Sequence, residues 1–289
     1  MLLTDLTSNK KIELKNGLYI VSTPIGNRYD ITLRAIYVLN NSNIIVCEDT
    51  RVTKKLFTLL NIKISGRVWI SYNDYNAPSK IKNIIEEINK NKIVSFVSDA
   101  GTPLLSDPGY KMVQEALKNN IKVIPIPGPS AITASLIISG AKTDKFFFVG
   151  FLSRKKNEYV KILKKYSDLK APLIIFEKSK RIKFLIETVF NWFEEANFII
   201  TRELTKMHEE VIYVDITNFE KYIKKDFNLK GELTIILELN RKLKKIIFSN
   251  SVLLKELKKF KPSQVASILA RSSSESREEI YKRCVSLTK

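Results

Sequence analysis

Lys92-Ile-Val-Ser-Phe-Val-Ser-Asp-Ala-Gly-Thr-Pro103 carries the pattern that decides the fold of this chain. An apolar, β-branched run, Ile93 to Val97, stops abruptly in a polar turn that holds Asp99, Gly101 and Thr102. Such a run reads as a buried strand, and the turn as the loop at its C-terminal end. Downstream, Asp107-Pro-Gly109 reads as a helix start. Asp107 would cap it, and Pro108 would take the first helical position, where its missing N–H costs nothing. The helix is expected to reach about Asn119 and to be followed by a strand at Lys122-Val-Ile-Pro-Ile126.

The same rhythm extends upstream. Leu18-Tyr-Ile-Val21 reads as a strand broken by Pro24 and Gly26. Asp30 is a candidate cap for a helix whose apolar face is Leu33, Ile36, Val38 and Leu39. Asn43 to Cys47 reads as a second strand ending in the charged quartet Glu48-Asp-Thr-Arg51. Val68-Trp-Ile70 is a third, and Pro78 to Lys90 is an amphipathic helix with Ile81, Ile84, Ile85 and Ile88 on one side. Strands and helices alternating this regularly predict an α/β domain with a largely parallel sheet.

After Pro127 the spacing changes. Ala131 to Ser139 reads as a helix of small and apolar residues that stops at Gly140. Strands are expected at 146–151, 172–176, 197–201, 211–214 and 232–239, with helices at 158–166 and 181–194. This predicts a second α/β domain. Residues 241–250 read as a charged linker, and 251–287 have helical spacing. The expected organisation is two α/β domains, 1–125 and 126–240, with a small basic helical tail at 250–289.

Composition bounds the function. A length of 289 residues suits two domains, and 44% hydrophobic with 27% charged residues is ordinary for a globular protein. No apolar run approaches the roughly 18 residues of a membrane span, and Met1 to Lys15 lacks a signal-peptide core. The expected location is the cytoplasm, with no membrane partner. Cys47 and Cys284 form no C-x-x-C pair, so neither a disulfide framework nor a structural zinc site is expected. Cys47 reads as a core residue. The single histidine, His208, beside Glu209 and Glu210, argues against a Ser-His-Asp triad and against a metal site. The net charge of +19 favours a polyanionic partner. From Arg241 to Lys289 there are 13 Lys and Arg against four Glu, a surplus of +9. Lysine is abundant along the whole chain, so compositional bias alone also accounts for the charge.

Ligands of open α/β sheets gather at the carboxyl ends of strands. Three loops lie there: Ser22-Thr-Pro-Ile-Gly-Asn27, Ser98-Asp-Ala-Gly-Thr-Pro103 and Pro127-Gly-Pro-Ser-Ala131. Asp99 could accept hydrogen bonds from a nucleoside, and Gly101 would let a ligand approach the backbone. Ser130 stands where a helix opens, a suitable place for a carboxylate or another anion. Ordinary turns satisfy the same spacing. None of the loops is a P-loop or a G-x-G-x-x-G fingerprint, which argues against a Walker-type NTPase or a standard dinucleotide enzyme.

Taken in order, these loops resemble the class III, tetrapyrrole-methylase-like methyltransferases. The shared pieces also include Asp30-Ile-Thr-Leu-Arg34, Glu48 to Arg51, Asp107-Pro-Gly-Tyr110, Gly150-Phe-Leu152, Arg202-Glu-Leu-Thr-Lys206 and Lys230-Gly-Glu232. Within that family the chain is most similar to the branch that methylates the ribose 2′-hydroxyl of a cytidine in the decoding region of small-subunit (16S) ribosomal RNA. The resemblance implies a homodimer and S-adenosylmethionine as cofactor. Carried onto this sequence, the cofactor residues are Pro24, Asp99, Gly101, Thr102, Gly128, Ser130 and Ala131. Glu48, Asp49 and Lys206 are the catalytic candidates, with Glu203 also near them in sequence. Arg51, Arg181 and Arg202 are candidates for contact with substrate RNA, expected within the assembled 30S subunit, and no metal is implied. The chain departs from the family where a His-acid-His-Asn cluster is usual and Tyr72-Asn-Asp-Tyr-Asn76 stands instead. It departs again at Glu177-Lys-Ser-Lys-Arg181, where the family shows a histidine before the arginine. A histidine base at those positions is therefore excluded. Two alternatives stay open: a methyltransferase of this family acting on a tetrapyrrole or a protein side chain, and a non-catalytic RNA-binding protein.

Overall fold

A strand covered on both faces must be apolar at every position, because its period-two alternation points to two different cores. Leu18 and Tyr19, Ile44 and Ile45, and Val46 and Cys47 are such neighbours, each pair divided between two buried clusters. In the computed structural model these residues lie on a parallel five-stranded sheet: β1 (Gly17–Val21), β2 (Ile44–Cys47), β3 (Val68–Ser71), β4 (Ile93–Val97) and β5 (Val123–Ile126). The strand order is β3-β2-β4-β1-β5. The structure describes residues 13–73, 77–153, 155–224, 229–239, 247–270, 273 and 275–288. Asp74 and Asn76, most of the expected charged linker, and Ser272 and Ser274 fall outside them.

Helices cover both faces. Helices α3 (Ala77–Asn89) and α4 (Tyr110–Lys118) place Ile81, Ile84, Ile85, Ile88, Met112 and Ala116 against Leu18, Val46, Val94 and Phe96. Helices α1 (Leu33–Asn41) and α2 (Thr50–Leu59) place Ala35, Val38, Leu39 and Phe57 against Tyr19, Ile45, Cys47 and Val97. Helix α5 (Ala131–Ile138) follows β5. Pro125 is tolerated because β5 is an edge strand.

Contacts divide the chain into two units. The first comprises the described residues up to Gly140 together with Thr201–Glu210; the second comprises Ala141–Ile200 and everything from Val211 onward. The break therefore falls after Gly140 rather than after residue 125, and α5 stays with the first unit. The second unit has a mixed sheet of β6 (Phe147–Phe151), β7 (Leu173–Lys178), β8 (Ala196–Arg202), β9 (Glu210–Val214) and β10 (Glu232–Leu239), in the order β6-β7-β10-β8-β9. Helices α6 (Lys156–Ser167), α7 (Ile182–Trp192) and α8 (Phe219–Ile223) accompany it. Leu163, Leu185, Val189, Phe190 and Phe198 are fully buried in its core. Three helices, α9 (Asn250–Leu257), α10 (Pro262–Leu269) and α11 (Arg277–Leu287), enclose a small core of Leu253, Val265, Ala266, Ile280 and Cys284. Among the described residues no helix is long and apolar enough to cross a membrane.

The local expectations need four corrections. Thr32, not Asp30, caps α1: its hydroxyl accepts the Ala35 N–H at 3.1 Å, while Asp30 closes a short 3-10 turn. Leu33 is largely exposed and Ala35 takes its place in the buried face. Asp107 does not cap α4, which starts from Gly109. Helix α2 follows directly from the charged quartet, with Asp49 as its cap. Phe96, fully buried, meets Tyr72 edge-on with ring centroids 5.4 Å apart. Phe96→Ala should cost about 3–5 kcal/mol in a urea unfolding experiment; a loss under 1 kcal/mol would show that the site collapses to fill the cavity.

Candidate active site

All three loops lie in the first unit, at the carboxyl ends of β1, β4 and β5, and hydrogen bonds join them. Thr23 and Gly101 exchange both backbone bonds, at 2.9 and 3.0 Å. The buried Thr23 hydroxyl donates to the Ser98 carbonyl at 3.2 Å. The Thr102 hydroxyl donates to the Pro129 carbonyl at 3.0 Å, which spends its proton. Ser22 must therefore be the donor in the 3.0 Å bond between its own hydroxyl and that of Thr102. One relay, Ser22 to Thr102 to Pro129, thus crosses all three strand ends. Ser22 is the residue missed by the sequence reading; a buried polar side chain directly after a strand was its only signal.

Two glycines make the crossing possible. Gly101 has φ +79°, a region in which a side chain is strained. A Cβ on Gly128 would lie 2.9 Å from the Cβ of Ser22, closer than two carbons pack. Ser130 occupies the N-cap position of α5, but its side chain makes no capping bond. Among the described residues no capping bond from Ser130 satisfies the first turn of that helix. The loop after Gly101 keeps two further residues in the left-handed region, Leu104 at φ 72° and Ser106 at φ 69°, where non-glycine residues are uncommon.

Four carboxylates, Glu48, Asp49, Asp99 and Asp107, lie near one another at this end of the sheet. Asp99 accepts the Asp49 N–H at 3.1 Å. Burial pushes the Asp99 carboxyl up. Asp107, held by the Ser98 hydroxyl, is pushed up to about 6 by burial and then by the charge of Asp99. Glu48 is also raised, by partial shielding from solvent and then by Asp99, Asp107 and Asp49. Asp49 behaves in the opposite way. Its carboxylate accepts the Arg51 backbone N–H at 2.8 Å and pairs with the Arg51 guanidinium at 2.6 Å, which holds it down at about 2. Glu48 and Asp49, adjacent in sequence, thus differ in basicity because Arg51 holds Asp49 down while burial and neighbouring carboxylates raise Glu48.

Thr201–Glu210 packs against the first loop. The Thr205 hydroxyl accepts the Asn27 N–H at 3.0 Å, and the Lys206 side chain lies over Gly26. The Lys206 ammonium donates to Glu203 at 3.0 Å, so it has no lone pair to offer a hydroxyl. Arg202 pairs with Glu210 at 3.1 Å. Arg51 is paired as described, yet its side chain is 88% exposed. Exposed ion pairs are worth only about 0–1 kcal/mol, so phosphate can compete for it.

Arg181 does not join this group. It belongs to the second unit, where it pairs with buried Glu177 at 3.1 Å and donates to the Leu152 and Ser153 carbonyls and to the Tyr159 hydroxyl. Its Nε and Nη2 donors are thus engaged inside the second unit, apart from the carboxylates at the first-unit loops. Lys178 and Lys180 beside it are exposed. His208 is exposed, and Cys47 is fully buried.

Residues 17–220 match the Tetrapyrrole (Corrin/Porphyrin) Methylases. A protein of Rickettsia prowazekii named ribosomal RNA small subunit methyltransferase I is 40% identical over 78% of this chain and 80% of its own length. One of Hydrogenobaculum sp. with the same name is 40% identical over 76% of this chain and 94% of its own. The chain belongs to the ribosomal RNA small subunit methyltransferase I family, within the tetrapyrrole methylases. A solved diphthine synthase shares the fold, with TM-score 0.59 at 16% identity over 78% of this chain and 90% of its own. The chain has a single histidine, and its described site is built from carboxylates, hydroxyls and backbone.

The raised Asp107 carboxyl makes a pH prediction. Between about pH 4 and 6 the folded chain holds a proton there that the unfolded chain has lost, so stability falls as pH rises through that window. Asp107→Asn should therefore raise the melting temperature at pH 8, with the gain fading towards pH 4. An equal gain at every pH in thermal unfolding would contradict this.

Proposed function

We propose that this chain transfers the methyl group of S-adenosylmethionine to the ribose 2′-hydroxyl of a cytidine in the decoding region of small-subunit ribosomal RNA. It would act in the cytoplasm as a homodimer, on RNA within the assembled small subunit. The observation that carries this reading is the 40% identity to relatives named for that RNA, over four-fifths or more of their length.

The residues present fit the cofactor. Gly101, buried at φ +79°, lets the loop after β4 turn back onto Thr23, and the first turn of α5, at Ser130 and Ala131, where the Ser130 side chain makes no capping bond, suits a carboxylate. Asp99 offers acceptors to a nucleoside or an ammonium group, with Pro24, Thr102 and Gly128 forming the surrounding walls. S-adenosylmethionine supplies a methyl group on a good sulfonium leaving group, and alignment of the nucleophile can contribute about 7–11 kcal/mol.

A 2′-hydroxyl must lose its proton as it attacks. Glu48 is the best-placed acceptor, because its carboxyl is raised rather than lowered. Asp49 is reassigned to capping α2 and orienting Arg51, and Lys206 to the ion pair with Glu203. Arg51 and Arg202 remain the candidates for RNA phosphates.

Ribose methylation mapped in small-subunit RNA from cells with and without this gene should differ at one cytidine. Labelled methyl entering a tetrapyrrole but not isolated small subunits would reject the RNA reading. Glu48→Ala should lower kcat by about 10²–10⁴-fold with the fold intact. Gly128→Ala, which forces Ser22 aside, should weaken S-adenosylmethionine binding about tenfold in calorimetry; unchanged affinity would remove this loop from the cofactor site.

A further inference from the structure

Six residues beyond Thr23, the chain presents Tyr29, which is 77% exposed. A single exposed aromatic is ordinary. Here, however, the backbone that carries the ring is anchored and one side of the ring is occupied. It stands in the 3-10 turn Arg28–Asp30, which Asn27 caps by accepting the Tyr29 N–H at 3.1 Å. Asn27 is itself tied to the Thr205 hydroxyl. The Arg28 guanidinium lies 4.9 Å from the ring centroid and donates to the phenol oxygen at 2.9 Å. The ring therefore has one side occupied by a cation and the rest open. Met207, two residues past Thr205, is 94% exposed.

We propose that Tyr29, backed by Arg28, is a stacking platform for an unpaired base of the RNA that this chain binds. The inference rests on the proposed RNA substrate and deepens it by placing a base-recognition subsite next to the reacting centre. An unpaired base offers a flat π-face that stacks on tyrosine without regard to sequence, and an Arg behind the ring adds cation–π attraction. Held this way, the ring loses little entropy on binding. A protein partner is the other candidate for an exposed Tyr and Met, but the net charge of +19 and the guanidinium on the ring match a phosphodiester chain. The span from Thr23 to Tyr29 is at most about 20 Å of extended chain, so the base taken up would be the target or a near neighbour.

The test uses the full chain. Tyr29→Ala should raise KM for isolated small subunits about tenfold, with kcat within about twofold. Tyr29→Phe should keep the KM of the parent, since the face and not the hydroxyl is used. Tyr29→Trp gives a readout independent of methyl transfer: its fluorescence should be quenched by a single-stranded cytidine oligonucleotide and not by a duplex. An unchanged KM in Tyr29→Ala, or a phenylalanine variant as impaired as the alanine one, would overturn the platform. So would equal quenching by duplex, or none by either. If the parent methylates no RNA while quenching by the single strand persists, the platform stands and the proposed reaction fails. The ring is exposed, so none of these changes removes core packing.

Discussion

The relay from Ser22 through Thr102 to the Pro129 carbonyl is the constraint on which the site depends. Each β-strand of a parallel sheet ends with backbone groups that must find partners, and an unpaired buried group costs about 1–3 kcal/mol. Here the ends of β1, β4 and β5 satisfy one another, with Thr23 and Gly101 acting as a short extra bridge. The loops are thereby held together before any ligand arrives. That arrangement asks for hydroxyls at two positions and for the absence of a side chain at two others. The sequence motifs at Ser22, Thr102, Gly101 and Gly128 are the consequence.

Partners, rather than residue type, sort the candidate catalytic groups. Glu48 and Asp49 are both carboxylates at the end of β2. Asp49 is drawn into the first turn of α2 and onto Arg51, which makes it a weak base. Glu48 is partly buried and then faces other carboxylates, which together make it a stronger one. Lys206 is set against Glu203 in a stretch where Glu203 and Thr205 both adopt left-handed backbone, at φ 49° and 65°. Backbone of that kind costs about 1–3 kcal/mol per residue, and the Asn27–Thr205 bond is part of what holds it.

What could be read from the chain follows the range of the physics involved. The strands of the first sheet were legible because burial on both faces leaves unbroken apolar runs such as Ile44 to Cys47. Helix α2 was not, because only Thr53 and Phe57 are buried along it and its cap looked like part of a charged loop. The choice between Asp30 and Thr32 as a cap is open in sequence, since either side chain can accept the bond; the 3-10 turn decides it. The allegiance of Thr201–Glu210 to the first unit rests on contacts such as Asn27–Thr205, across 178 positions, for which no local pattern exists. The pairing of Arg181 with Glu177 joins the end of β7 to the turn after it, and no helical spacing announces it in the sequence.

Pro125 has one more consequence. The Ile126 carbonyl accepts the Ser22 N–H and the Lys122 carbonyl accepts the Leu18 N–H, so the even-numbered positions of β5 face β1. Pro125, odd-numbered, has its missing N–H on the outer rim. The rim loses no bond to the sheet, yet a foreign strand laid alongside would find a donor absent. Edge strands are the template for unwanted association, and this one is blunted at the strand that leads into Pro127 to Ala131. The sheet is thereby terminated by chemistry on the side where that loop begins.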